Sequence, residues 1–293
     1  LPWRTDHGLW ALGAVVATSV VSTVTSLSPA MSLWGLGGYY GGCMMVLFTA
    51  VGYLAVRAFA PQKLLNGLTF CVGITTALVT VLYVLNIFNI DLIGAYADTA
   101  VVERAQFFST LGQKDFNGCF FSVALPIVFY QFLNAKDTRT AVWTGIPAAF
   151  GALALAVVDS EALALGIGAA VMVLVCHKNF TTRHLRRAAL ISAAFFGWAA
   201  WMHYMRASVY TQGGTALLAK LGAWQVALPC MAASLLLWLV LFVLARKGIA
   251  AQAPLYLPGR VITIAVLAVG ALAFVLANAM PNLPLPESLA EED

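Results

Sequence analysis

The chain has 293 residues, of which 61% are hydrophobic and only 10% charged, and its mean hydropathy is +0.88. A soluble domain carries roughly 25% charged residues, so this chain has too few charges to cover a water-facing surface. The formal net charge of +4 is small, and a modest positive balance in a membrane protein reflects basic cytoplasmic loops, which leaves no reason to read a nucleic-acid partner.

The apolar runs are long and continuous and do not alternate with period two, as the strands of a membrane barrel do. They predict an all-α chain, a polytopic bundle of transmembrane helices. Nine spans are expected, at about 9–27, 41–60, 67–88, 118–134, 141–158, 162–177, 188–205, 223–245 and 261–280. They make one integral membrane domain over 1–280, followed by an acidic tail at 281–293. Pro126, Pro147 and Pro229 fall inside spans, where proline kinks a helix. The start at Leu1, with no basic segment and cleavage site behind it, gives no signal peptide. Together with the polar end, it leads to the expectation of an interior piece of a longer protein. The five cysteines lie in or beside apolar runs without a Cys-x-x-Cys pair, and read as thiols packed among helices rather than as a disulfide or zinc framework.

Residues 141–177 can be read as one element or two. As one helix they would extend about 55 Å, well beyond a hydrocarbon core of about 30 Å. Asp159-Ser160-Glu161 interrupts them near the middle. With two passes there, twelve lysines and arginines fall on one side of the membrane and four on the other; with one pass the split is seven against nine. The positive-inside rule therefore favours nine spans with a cytoplasmic N-terminus. The loop around Trp34, the stretch 89–117, the turn 159–161, the loop 206–222 and the tail then face outward, with ten of the twelve carboxylates. Trp34, Tyr39, Tyr40, Trp198, Trp201, Tyr204 and Trp224 lie near span boundaries, as an interfacial aromatic belt requires.

In chain order, the first outward feature is Trp34-Gly-Leu-Gly-Gly-Tyr-Tyr-Gly-Gly. Gly37/Gly41 and Gly38/Gly42 have small-xxx-small spacing and suit a tight approach to the second span. The second is the stretch from Arg104 to Gly118, where charged, amide, hydroxyl and glycine residues crowd beside a membrane-length run. Residues 89–117 are rich enough in apolar side chains to lie as an amphipathic segment on the outer leaflet. Arg104 can hold a phosphate through paired hydrogen bonds with Lys114 as a second charge, or both can simply meet lipid headgroups. Asp159-Ser160-Glu161 offers a carboxylate as a general base, or is a solvated hairpin turn. His203 and Arg206 close the seventh span, and with Arg104 they can form an anionic pocket; a lone histidine at a helix end is more often structural. His177, Lys178, Arg183, His184, Arg186 and Arg187 form a basic inner loop that reads as a topology signal against anionic lipid. The sequon Asn179-Phe180-Thr181 falls on that side and is expected to be unused. No nucleophile triad, P-loop or metal-ligand spacing occurs.

Three stretches, in order, resemble the O-antigen ligase and polymerase-like family of membrane glycosyltransferases. They are Ser22-Thr23 with Ser28-Pro29, Ser32-Leu33-Trp34-Gly35 and Tyr40-Gly41-Gly42; Arg104 with Thr110-Leu111-Gly112, Asn117 and Ala124-Leu125-Pro126; and Asp159-Ser160-Glu161-Ala162 with Gly166. The likeness covers about residues 10–170. Two positions depart from the family pattern: Glu161 stands where the family carries arginine, and Lys114-Asp115-Phe116-Asn117 matches its Asn-Pro-Asn run imperfectly. The family's large outer loop is expected beyond the tail at 281–293.

The resemblance implies transfer of a glycan from a polyprenyl-diphosphate carrier to an acceptor on the extracytoplasmic face of a bacterial cell membrane. It implies no metal, nucleotide sugar or other cofactor, and membrane lipids as the remaining partners. The binding set it suggests is Arg104 with Lys114 and Asn117 for the diphosphate and Arg206 as a further cation; the acid–base or acceptor candidates are Asp115, Asp159 and Glu161. The competing readings are a transporter or flippase for a lipid or amphipathic solute, and a non-catalytic membrane scaffold. No inverted repeat of broken helices marks the transporter class in this sequence.

Overall fold

The computed structural model describes residues 7–35, 42–59, 61–94, 107–158, 160–205, 220–248 and 253–279. Among these the chain is mostly helical, with one two-residue antiparallel ladder and an isolated bridge between Thr181 and Pro254. The helices are α1 (His7–Val24), α2 (Pro29–Trp34), α3 (Cys43–Phe59), α4 (Gln62–Ile87), α5 (Lys114–Asn134), α6 (Thr138–Val157), α7 (Glu161–Cys176), α8 (Thr182–Tyr204), α9 (Trp224–Arg246) and α10 (Tyr256–Ala279). The ladder pairs β1 (Phe107–Phe108) with β2 (Gly112–Gln113) just before α5. Each of the nine expected spans overlaps one helix, and α2 is an additional short one.

Four helical segments are long and apolar enough to cross a membrane: Leu64–Ile87, Asp115–Asn134, Thr138–Val157 and Trp224–Arg246. Gly8–Val24, Cys43–Phe59, Glu161–Cys176 and Tyr256–Val269 are shorter apolar helices. Pro126, Pro147 and Pro229 lie inside α5, α6 and α9. The stretch 141–177 is two helices, broken between Val157 and Glu161, as its charged midpoint requires.

The chain divides into two compact units, Leu1–Leu68 and Thr69–Asp293. In the first, α1 packs on α3 and α2 packs against both. The Ser32 hydroxyl donates to Ser26 Oγ at 2.6 Å, tying α2 to the turn before it. Gly42 is buried against the Leu33 backbone, where a Cβ would clash, so the glycine run does end in a tight approach to α3. Gly37, Gly38 and Gly41 lie outside the described residues.

In the second unit α8 packs along α6 and α9, α5 lies against α6, α7 and α8, and α10 packs on α7. Val79, Tyr83 and Ile87 of α4 join Phe121, Leu125, Ala154, Val158 and Leu163 in one core. The unit has two unlike ends. Asn134, Ala135, Cys176, Phe180 and the starts of α8 and α10 meet at one. There Arg183 donates to the Ala135 carbonyl, Thr182 N–H to Ala253 and Leu255 N–H to Phe180, and Arg260 Nε donates to the Cys176 carbonyl at 3.3 Å. Lys136, Arg139, Lys178, Arg183, Arg186, Arg187, Arg246, Lys247 and Arg260 all belong to this end, whereas Lys114 and Lys220 are the described lysines at the other.

Arg187 is the centre of the basic end. It is 9% exposed, and its Nη1 donates to the carbonyls of Phe132 (3.0 Å), Leu133 (2.9 Å) and Ala135 (2.6 Å). These carbonyls belong to the last turn of α5 and the residue after it, and carbonyls there have no partner within the helix. A cation there also meets the negative end of the helix dipole. Asp137 then opens α6, accepting from Thr140 N–H at 2.8 Å and from its hydroxyl at 2.7 Å. These bonds hold its carboxyl below the ordinary value.

Thr181 and His184 form a capping box at the start of α8. His184 Nδ1 accepts from Thr181 N–H at 3.2 Å, so the ring is neutral with its proton on Nε2, 3.2 Å from Asn134 Oδ1. Burial lowers its pKa from 6.5, and the charges of Arg183 and Arg187 and the neighbouring His177 lower it further.

Two outcomes follow. Arg187→Leu leaves buried carbonyls without their donor and lowers stability by about 3 kcal/mol, read as a fall in the unfolding midpoint of purified protein, with Arg187→Lys in between. For His184 the folded pKa lies below the unfolded 6.5, so the unfolded chain takes up more protons on acidification. Its contribution is complete above 6.5 and is lost as pH falls below that value toward the folded pKa. The midpoint of His184→Gln, which keeps a capping acceptor, therefore falls less between pH 7.5 and 5.5 than that of wild type.

Candidate functional site

The opposite end of this unit carries a hydrogen-bonded hairpin built from the described part of the stretch that runs from Arg104 to Gly118. Asn86, in the last turn of α4, accepts from Ser109 N–H at 2.7 Å and donates to the Ile90 carbonyl at 3.2 Å. The Ser109 hydroxyl donates to Asn117 Oδ1 at 2.6 Å and accepts from Leu111 N–H at 3.2 Å. Asn117 Nδ2 completes the ring by donating to the Gly112 carbonyl at 3.2 Å. Ser109 is 2% exposed and Asn117 0%. Leu111, at the hairpin tip, packs onto the core of Tyr83, Phe121 and Leu163.

The local sequence explains the shape. Gly112 has φ of 78°, a left-handed conformation that glycine adopts without cost. Ser109 has φ of 58°, which costs a non-glycine residue about 1 kcal/mol. The bonds through its N–H and hydroxyl offset that cost. Backbone strain of this kind concentrates at functional sites. Where the sequence suggested an amphipathic surface segment over 89–117, its described last part, 107–113, is this hairpin.

The clamp sits directly against Ser160 and the start of α7. A Cβ on Gly118 would collide with Ser160 Oγ, and one on Gly166 would lie 2.5 Å from Ser122 Cβ. So α5 and α7 cross with almost no side chain between them, and glycine is required at both positions. Ser160, at the N-cap of α7, is 9% exposed and makes no capping bond. Its Oγ and Nδ1 of His203 are the buried side-chain polar atoms without a hydrogen-bond partner among the described residues. Both belong to this end, and such atoms are rare in native folds. Phe88, Trp201 and Trp198 form an aromatic group here, with ring centroids 5.9 and 5.7 Å apart.

The anticipated site residues are placed as follows. Asp115 and Glu161 lie exposed in the first turns of α5 and α7, where the helix dipole favours a carboxylate. Asn117 is fully buried, with both amide atoms engaged in the hairpin, which makes it a positioning residue. Lys114 opens α5, but its side chain lies outside the described residues, as do Arg104, Asp159 and Arg206 entirely. No group of three or more His, Cys, Asp or Glu that could hold a metal occurs among the described residues. Sequence reading passed over Asn86, Ser109 and Ser160 as site residues. An amide at the end of an apolar run and a Ser-Thr-Leu-Gly turn were the available signals. Compared with family models, curated proteins and solved structures, the chain gives no match.

Asn117→Ala strips a partner from both Ser109 Oγ and the Gly112 carbonyl, and about 1–3 kcal/mol of stability is lost. Limited proteolysis reads it as faster cleavage within 107–113. Asn117→Asp, equal in shape, loses as much, because it sets a carboxylate oxygen against the Gly112 carbonyl.

Proposed function

We propose that the protein is a polytopic membrane glycosyltransferase of the O-antigen ligase and polymerase-like type, transferring a glycan from a polyprenyl-diphosphate carrier to an acceptor outside the membrane. One observation carries the reading. The second and third stretches of the resemblance meet where Gly118 packs on Ser160, 42 residues further along the chain, beside a clamped hairpin. The charge asymmetry of the Thr69–Asp293 unit supports the orientation. With the basic end in the cytoplasm, the hairpin, Asp115 and Glu161 face outward. The reading takes nine passes, a cytoplasmic N-terminus and a multi-pass cell-membrane location.

In this reaction the acceptor hydroxyl oxygen attacks the anomeric carbon of the glycan. The bond from that carbon to the diphosphate oxygen breaks, and the carrier diphosphate leaves with the bonding electrons. A carboxylate takes the hydroxyl proton, with Asp159, Glu161 and Asp115 as the candidates. Arg104 and Lys114 stabilise the charge that grows on the leaving diphosphate, with Arg206 as a further cation. Asn117 acts through the hairpin it holds.

Arg104→Ala is expected to lower transfer by about 10²–10³-fold while expression and membrane insertion stay intact. The assay supplies lipid-linked glycan to membranes of cells complemented with wild type or variant. Normal transfer by the variant overturns the assignment of Arg104. Movement of the lipid-linked glycan across the bilayer by wild type, without transfer, favours the flippase reading instead.

A further inference from the structure

At the basic end, a cavity of about 720 Å³ opens between the starts of α6 and α8 and the end of α9. Its polar rim holds Lys136, Asp137, Arg183, Arg186 and Arg187, so four cations face one carboxylate. That carboxylate is already engaged by Thr140. Arg183 and Arg187 are held by the carbonyls at the end of α5. Lys136 and Arg186 make no such hydrogen bond among the described residues. The Arg186 guanidinium lies 5.7 Å from the Phe242 ring centroid, and the Arg246 guanidinium lies 4.8 Å from the same centroid. One ring thus carries two guanidinium groups, and a bound anion would offset the repulsion between them.

The remaining walls are mostly apolar. Val142, Leu190, Trp238 and Phe242 line them, and Trp238 stacks on Phe242 with centroids 5.3 Å apart and planes at 17°. Helix α9, which supplies the aromatic wall, has only 6% of its apolar window buried within the protein. The cavity therefore joins a cationic rim to an apolar cleft beside a lipid-facing helix. A soluble anion would satisfy the rim and leave that cleft unfilled.

We propose that this cavity binds an anionic phospholipid, its phosphate between Lys136 and Arg186 and an acyl chain along Val142, Trp238 and Phe242. Basic pockets between transmembrane helices take such headgroups. The site lies at the opposite end of the unit from the proposed transfer site and does not depend on that reading.

The test is retention of added lipid by detergent-purified protein, counted by native mass spectrometry and by the shift in unfolding midpoint. Phosphatidylglycerol is expected to bind the wild type roughly thirtyfold more tightly than phosphatidylcholine, for two cations at the headgroup. Lys136→Ala/Arg186→Ala brings the two lipids to within about threefold of each other. Lys178→Ala/Lys247→Ala removes the same charge from the same end outside the cavity and keeps the preference. If the first double variant does not fold, Val142→Trp serves instead; it fills the acyl cleft and lowers phosphatidylglycerol retention. Equal binding of the two lipids by wild type overturns the proposal. So does an equal loss in both double variants, which marks diffuse surface attraction. Displacement of phosphatidylglycerol by millimolar inorganic phosphate overturns it in favour of a soluble-anion site.

Discussion

The second unit depends on one buried guanidinium. Arg187 on α8 reaches the end of α5 and gives a single nitrogen to three carbonyls. The last carbonyls of α5 are buried beneath Arg187, where an unpaired carbonyl costs several kcal/mol. An ordinary C-cap would satisfy them locally. Here a different helix does so, and the solution fixes two helices against each other as well as ending one of them. Arg183 supports the same carbonyl of Ala135, and Arg187 lies 5.8 Å from the Phe132 ring centroid, which lets the charge rest on an aromatic face. The loop whose basic residues carried the sequence-based orientation is also the loop that joins the bundle.

The other end satisfies its polar groups without charge. Asn86, Ser109 and Asn117 join the end of α4, a two-residue ladder and the first turn of α5 in one buried network. Such a network is strong in a low dielectric only when all of its members are paired. It therefore specifies one hairpin geometry rather than a family of them. Beside it stand two buried polar atoms without a partner among the described residues, Ser160 Oγ and His203 Nδ1. A fully satisfied frame next to unsatisfied groups is the arrangement expected where the fold must stay fixed while something else is bound.

Much of the helical layout was legible because the apolar runs are long and their interruptions are charged. The break after Val157 was readable for that reason, since a helix through Asp159 and Glu161 would have overrun the bilayer. The start of α8 was read too late. Its apolar run begins near residue 188, but the capping box of Thr181 and His184 and the anchoring of Arg183 and Arg187 extend the helix back to Thr182. Arg187 was read as a topology charge, because a sequence shows that a residue is basic but not which way it turns. Asn117 was read as a ligand contact for the same reason. Its partners Ser109 and Gly112 come within reach only when a left-handed serine folds the chain back, and propensity gives no warning of that conformation at serine. Arg104, Asp159 and Arg206 lie outside the described residues, so their roles rest on the sequence.

Helix α5 connects these arrangements. In a bilayer, apolar side chains gain little by leaving lipid for one another, so close packing and polar contacts decide which helices become neighbours. Arg187 fixes the end of α5 to α8, the Asn117 clamp fixes its start to α4, and Gly118 with Gly166 brings α5 and α7 into near-backbone contact. Each contact leaves α5 fewer ways to rotate or slide. A binding constellation is only as well placed as the element that carries it. The stretch from Arg104 to Gly118 runs into the start of α5, a helix held at both of its ends. On the proposed reading, the described part of that stretch, 107–118, is carried by this helix and by the hairpin before it.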